Sequence, residues 1–212
     1  MTTRTLDRTS AMAWECRSPQ SFPAAPYPGA HPSGSWTLTG DGHVHALDAV
    51  ELRVWQDRRT GESVSLEGRN LVLGYGSNLN PRKLAALFVG EQVHVLEADV
   101  RDWAAAWCEG RRGNGDVVAT LVPDPVGCER HAVLAVTRGQ LERMDAWEGH
   151  PGYYRRESCT GHLTLADGTV PEAEVYLGTA ERRPALLVRG RVLLLRDHAY
   201  SVADRLVDGQ CW

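Results

Sequence analysis

The stretch Leu71-Val72-Leu73-Gly74-Tyr75-Gly76-Ser77-Asn78-Leu79-Asn80-Pro81 constrains the fold more than any other part of the chain. Residues 71–73 are apolar and suit a short buried strand. Gly74 and Gly76 then let the chain turn sharply, because a residue without a Cβ tolerates angles that others resist. Asn78 or Asn80 suits the cap of a following helix, and Pro81 suits its first turn. Strand, glycine loop and helix start together aim free N–H groups at one spot, a natural place for a carboxylate or a developing oxyanion. The same residues also describe a tight strand-to-helix turn that binds nothing.

The rest of the composition narrows the class. A chain of 212 residues is long enough for one domain with a sizeable core and an appendage. A formal net charge of -4 leaves no electrostatic footprint for nucleic acid, and Lys83 is the sole lysine. Five cysteines, Cys16, Cys108, Cys128, Cys159 and Cys211, make an odd count with no CxxC pair, which argues against a disulfide framework or a zinc knuckle. No window approaches the ~20 apolar residues of a membrane span, and the N-terminus lacks a signal-peptide core. The expectation is a soluble, cytoplasmic protein without a membrane partner. The oligomeric state is open.

Residues 1–35 carry Pro19, Pro23, Pro26, Pro28 and Pro32 among small residues and read as an irregular tail or linker, which Trp14, Phe22 and Tyr27 can pin to the domain. Residues 36–70 read as an accessory segment. In it, alternation at Val50, Leu52 and Val54, a turn over 57–62, and alternation at Val64 and Leu66 predict a β-hairpin. His43 and His45 would share one face of a strand, which falls short of a metal site without further ligands. The main domain is expected over 71–212.

Within it, residues 81–88 read as a short helix and 93–107 as strands. A turn follows at 111–116. A strand over 117–122 is expected to stop at Pro123-Asp124-Pro125, and another runs over 131–137. Residues 138–149 read as a helix with Leu141, Met144 and Trp147 at helical spacing and Gly149 as its stop. Glu148 therefore lies in the last turn, where the helix dipole disfavours a carboxylate by about 0.3–1 kcal/mol. Such an uncompensated choice hints at function, although a solvated surface glutamate tolerates the cost. Residues 158–165 and 170–177 flank Asp167-Gly168 as a hairpin, 184–196 read as a helix interrupted at Gly190, and 199–207 as a final helix.

Two pieces of the sequence are similar to signatures of the γ-glutamyl cyclotransferase-like (AIG2-like) family. Tyr75-Gly76-Ser77-Asn78-Leu79 resembles the family's loop. The run from Leu141 through Glu148-Gly149 to Tyr153-Tyr154-Arg155 resembles its second motif, a helix ending in Glu-Gly with a Tyr-Arg soon after. Residues 119–125 also resemble its middle strand. The resemblance spans about 71–176 and leaves out residues 1–70. It implies an α+β fold in which a small mixed-strand barrel packs with a few helices. It implies cleavage of γ-glutamyl amides to 5-oxoproline and a free amine, with no metal or organic cofactor. By the same resemblance Tyr75, Gly76, Ser77, Asn78 and Leu79 bind the glutamyl group, Glu148 is the catalytic acid/base, and Tyr154, with Tyr153 as its rival, lines the pocket.

That reaction needs an anchored α-carboxylate, an α-amine that loses a proton, and charge stabilised on the γ-carbonyl oxygen. The 75–79 loop can supply N–H donors and Glu148 can move the proton. The nucleophile belongs to the substrate, so the protein need only hold a folded conformer. Deprotection of a γ-glutamylated natural-product intermediate uses the same chemistry, and a non-catalytic binding member of the fold is a further alternative. Ser77 lacks a Gly-x-Ser-x-Gly elbow, and no cysteine sits at an electropositive helix start.

Overall fold

The computed structural model describes residues 16–208. The expectations for residues 1–15, including Trp14, and for the terminal Cys211 and Trp212 lie outside the described residues. The strands are β1 (Cys16–Arg17), β2 (Ser35–Leu38), β3 (Val44–Glu51), β4 (Val54–Asp57), β5 (Ser63–Val64), β6 (Asn70–Gly74), β7 (Val93–Trp107), β8 (Ala119–Val136), β9 (Tyr154–Ser158), β10 (Leu163–Leu165), β11 (Glu174–Gly178), β12 (Leu187–Val188) and β13 (Arg191–Val192). The helices are α1 (Pro81–Leu87), α2 (Arg138–Glu148) and α3 (Tyr200–Val207).

The frame is a mixed 11-stranded sheet in the order β5-β4-β3-β2-β7-β8-β6-β11-β9, with β1 on β3 and β10 on β7. β6 is interior: it runs antiparallel to β8 (Val72 opposite Leu134) and parallel to β11 (Val72 opposite Glu174). Both faces of this central region are covered. Leu73, Leu96 and Val133 point into one apolar cluster, whereas Val72, Val95 and Leu134 point into another with Leu84, Phe88, Leu141 and Met144. Burial on both faces explains why β6 and the end of β8 are near-continuous apolar runs instead of alternating ones. The fold class is α+β, a mixed sheet with few helices. Among the described residues the sheet does not close: its path ends at β5 and β9, so the expected barrel is an open sheet.

Several local expectations are revised. Over residues 16–35 the tail is packed: Cys16 pairs with His45, Pro19–Ser21 form a 3₁₀ turn, and Phe22 and Tyr27 are buried. Aromatic burial offsets the low patterning of its prolines. Residues 36–70 hold a meander in which Trp36 pairs with Val95 of β7, so this segment extends the main sheet. The hairpin turn over 58–62 is present between β4 and β5, but the chain also turns at Leu52 and Arg53, the latter at φ 62, instead of running straight through Val54.

β8 does not stop at its prolines. Arg101 pairs with Cys128 and Trp103 with Pro123, so residues 124–127 bulge opposite Asp102. Pro125 sits in that bulge, where no ladder hydrogen bond is required. The Asp167-Gly168 turn forms, yet β10 pairs with β7 and β11 with β9, because apolar Leu163 and Leu165 are drawn onto the long central strand. The expected helix over 184–196 is a two-stranded hairpin turning through Arg189 and Gly190, at φ 50 and 76. Two successive positive angles fit a tight hairpin turn and break a helix.

Candidate functional site

β6 ends at Gly74, and the chain passes through Tyr75 and Gly76 into a single 3₁₀ turn, Ser77–Leu79. The two glycines are required for space. A Cβ on Gly74 would lie 2.6 Å from Leu79 Cδ2, and one on Gly76 would lie 2.3 Å from Tyr27 Oη. The N–H groups of Leu79 and Asn80 return to Gly76 and Ser77 oxygens. Those of Ser77 and Asn78 are the ones that a helical turn leaves without an internal acceptor. Asn80, not Asn78, caps α1: its Oδ1 accepts from Lys83 N at 3.1 Å, with Pro81 behind it.

α2 brings Glu148 to the same place. A reciprocal capping box of Thr137 and Gln140 starts the helix, buried Leu141 and Met144 fix its face, and Gly149 ends it at φ 66 in the left-handed region. Trp147, expected on that face, is 48% exposed. A narrow pocket results, walled by Tyr75, Gly76, Ser77, Asn78 and Glu148 together with Tyr154, Tyr176, Ala119, Arg112 and Tyr27.

Glu148 is no solvated surface residue. Its side chain is 9% exposed, and Oε2 lies 3.5 Å from Arg112 Nη2. Burial lifts its pKa above the ordinary carboxylate value, against the opposing pull of Arg112, Lys83 and Arg183. Arg112 projects from a turn closed by its own N–H to Asp116 (2.8 Å). Neighbouring Arg111 ties that turn to α3 through Asp204 and Asp208, at 2.5 and 2.7 Å. Asn78 Oδ1 is buried without a hydrogen-bond partner among the described residues, an acceptor at the pocket wall.

Tyrosines form most of the remaining wall. Tyr154 is buried and donates to Ala119 O at 2.9 Å, whereas Tyr153 is 44% exposed, so the geometry selects Tyr154 of the two. Tyr75 donates to Tyr176 O, and Tyr176 donates to Asp145 Oδ1 at 2.7 Å. Burial raises the pKa of each, so they are neutral donors at physiological pH. Leu79 is the one residue of the sequence-predicted loop that this pocket leaves out; its side chain is buried in the apolar cluster beneath.

Sequence reasoning missed Tyr27, Arg112 and Tyr176 as pocket residues. Nothing local marks Tyr27, which reaches the pocket only through the fold, and Arg112 reads as an ordinary turn residue. Cys108 and Cys159 are buried, with thiols pushed up to about 12, which removes them as nucleophiles at neutral pH. Among the described residues no cluster of three metal-ligating side chains occurs, and His45 is paired with Asp57 at 2.8 Å. No helix among them is long and apolar enough to cross a membrane.

Several solved structures are similar in fold. One is a γ-glutamyl cyclotransferase, 18% identical, aligned over 54% of this chain and 68% of its own with a TM-score of 0.47. A second, from Arabidopsis thaliana, is 19% identical over 69% of this chain and 89% of its own, at 0.47. A third is a yeast γ-glutamyl cyclotransferase specific to glutathione, 16% identical over 57% and 75%, at 0.41. No curated protein matches the sequence. The family model described as γ-glutamyl cyclotransferase, AIG2-like, matches residues 72–191, which is more than half of the chain and includes every wall residue of the pocket except Tyr27. The chain belongs to the γ-glutamyl cyclotransferase, AIG2-like, family.

Proposed function

We propose that this protein releases 5-oxoproline and a free amine from a γ-glutamyl amide, with Glu148 as the proton carrier and the Tyr75–Asn78 loop holding the glutamyl group. The observation that carries the reading is the pairing of opposite charges inside one small pocket. A γ-glutamyl group presents an α-carboxylate and an α-ammonium on one carbon. Arg112 and Glu148 stand 3.5 Å apart in the pocket wall, so one can take the carboxylate and the other the ammonium.

The chemistry follows in order. Asn78 Oδ1 accepts one ammonium hydrogen, relieving a buried acceptor that otherwise costs about 1–3 kcal/mol. Glu148 takes the proton that makes the amine nucleophilic. Its raised pKa strengthens it as a base relative to an exposed carboxylate. The α-nitrogen attacks the γ-carbonyl carbon, and negative charge on that oxygen is met by the loop N–H groups. The attacking nitrogen sheds two protons on its way from ammonium to lactam N–H. Glu148 passes the first to the departing nitrogen as the amide C–N bond breaks, then takes the second, which leaves with the free amine as its ammonium form and restores the carboxylate. Because the attack is intramolecular, the protein contributes conformation, charge and a proton path.

A panel of γ-glutamyl amines, γ-glutamyl amino acids and glutathione, assayed for 5-oxoproline release, tests the proposal and identifies the leaving group. Absence of 5-oxoproline across the panel would refute it.

A further inference from the structure

Four tyrosines wall the pocket, and their hydroxyl hydrogens are spent differently. Tyr75, Tyr154 and Tyr176 each donate to an acceptor of the protein: Tyr176 O, Ala119 O and Asp145 Oδ1. Tyr27 is used the other way round. Its Oη accepts from Ala119 N at 3.1 Å, which orients the oxygen and leaves its own hydrogen without a protein acceptor among the described residues. That hydroxyl is buried with the rest of the 6%-exposed side chain, and it lies where a Cβ of Gly76 would be, against the centre of the glutamyl loop.

The segment that carries Tyr27 is firmly seated. Asn80 Nδ2 lies 2.6 Å from Ala30 O and 3.0 Å from Pro23 O, so the residue that caps α1 also clasps the strap at both ends. Phe22 is buried with Leu84 and Phe88. The Tyr27 ring packs on Trp107, centroids 5.8 Å apart, and Lys83 Nζ stands 5.6 Å from its centroid. A buried donor on so rigid a mount is preorganised, and burial keeps it protonated.

We infer that Tyr27, supplied by the N-terminal strap from outside the matched family region, donates its hydroxyl hydrogen to an oxygen of the bound glutamyl group. The inference rests on the proposed reaction. It makes the strap part of the site: the pocket of residues 72–191 alone lacks this donor. Two oxygens qualify chemically, the γ-carbonyl that becomes the oxyanion and the α-carboxylate, and both accept a neutral O–H.

The test is Tyr27→Phe in the full chain, which keeps the ring packing on Trp107. With a γ-glutamyl amide that the unmodified protein turns over, kcat/KM should fall at least about tenfold. A 4-aminobutanamide, which cyclises to 2-pyrrolidinone and lacks the α-carboxylate, separates the two acceptors. A penalty that persists on this analogue as a fall in kcat places the hydrogen on the carbonyl. A penalty that vanishes places it on the carboxylate. Either outcome supports the donor role. The acid limb of the pH–rate profile, governed by burial of Glu148, should stay where the unmodified protein has it. A displaced limb would mean that the pocket has opened and that Tyr27 is a wall, not a donor, which overturns the inference. Equal kcat/KM for variant and parent also overturns it and leaves the proposed reaction intact. No 5-oxoproline from the unmodified protein would overturn both.

Discussion

Replacing Glu148 by glutamine separates its chemical role from its structural one. The exchange keeps the side chain's size and removes its ability to carry a proton. General acid–base help is typically worth ~10²–10⁴-fold, or about 3–5 kcal/mol of barrier, and turnover in Glu148→Gln should fall by that order. Stability should move the other way or not at all. Burial is the largest influence on this carboxyl and outweighs the attraction of Arg112, Lys83 and Arg183, so its folded-state pKa lies above the unfolded one. A group raised in this way holds its proton more tightly when folded, and its contribution to stability falls as pH rises through the interval between the two values. At neutral pH the charged carboxylate is therefore a net cost. A further ~0.3–1 kcal/mol is expected from its position at the C-terminal end of α2. Arg112 loses its partner, but that side chain is 23% exposed and keeps access to water. The assay pairs 5-oxoproline release with urea unfolding at several pH values. The stability difference between variant and parent should widen in the variant's favour from acid to neutral pH. Glu142→Gln is the comparison on the same helix. Its carboxylate is 64% exposed and meets Arg138 at 3.0 Å, worth at most ~0.5 kcal/mol, and its loss should leave turnover unchanged. Near-parental 5-oxoproline release by Glu148→Gln would refute the role assigned to Glu148. A large loss of stability would refute the burial argument.

Other perturbations probe the scaffold. Asn80→Asp keeps the cap oxygen that serves Lys83 N but sets an oxygen against the carbonyls of Pro23 and Ala30; the loss of about two hydrogen bonds should cost about 1–3 kcal/mol in urea unfolding, whereas an unclasped strap would give no change. Tyr154→Phe strips the buried donor to Ala119 O and should cost about 1–2 kcal/mol, while Tyr153→Phe, at an exposed position, should stay within ~0.5 kcal/mol; equal effects would contradict the assignment of Tyr154 to the pocket. His94 is buried against Thr37, 3.0 Å from its Oγ1, and burial lowers its pKa to about 4. The unfolded chain therefore takes up a proton at about pH 6.5 that the folded chain refuses, and stability should fall by up to about 3 kcal/mol as pH drops from 6.5 to 4. His94→Gln should flatten that part of the stability–pH curve; an unchanged slope would show that His94 does not set it.

Local chemistry made the centre of the molecule legible. The apolar triplet before Gly74, the cap chemistry at Asn80-Pro81, and the Thr137-to-Gly149 frame of α2 are short-range features whose backbone preferences the fold respects. Two glycines were readable as constraints, but their reason was not: each makes room for a side chain, Leu79 or Tyr27, that only the fold brings near. Long-range pairing decided the rest. Pro123 and Pro125 look like a strand's end until β7 and β8 are aligned, when Pro123 pairs with Trp103 and a bulge absorbs Pro125. Residues 163–165 left their expected partner because the long β7 offered apolar pairing elsewhere. Glu148 read as an odd choice at a helix end, and its burial beside Arg112 came from a turn 36 positions earlier being pinned to α3. In the proline-rich strap only the aromatic residues Phe22 and Tyr27 hinted at docking, and nothing local said where they would dock. Its order comes from Asn80, Phe22 and Tyr27 meeting partners 50 or more residues away, contacts whose entropy cost only a completed core can offset.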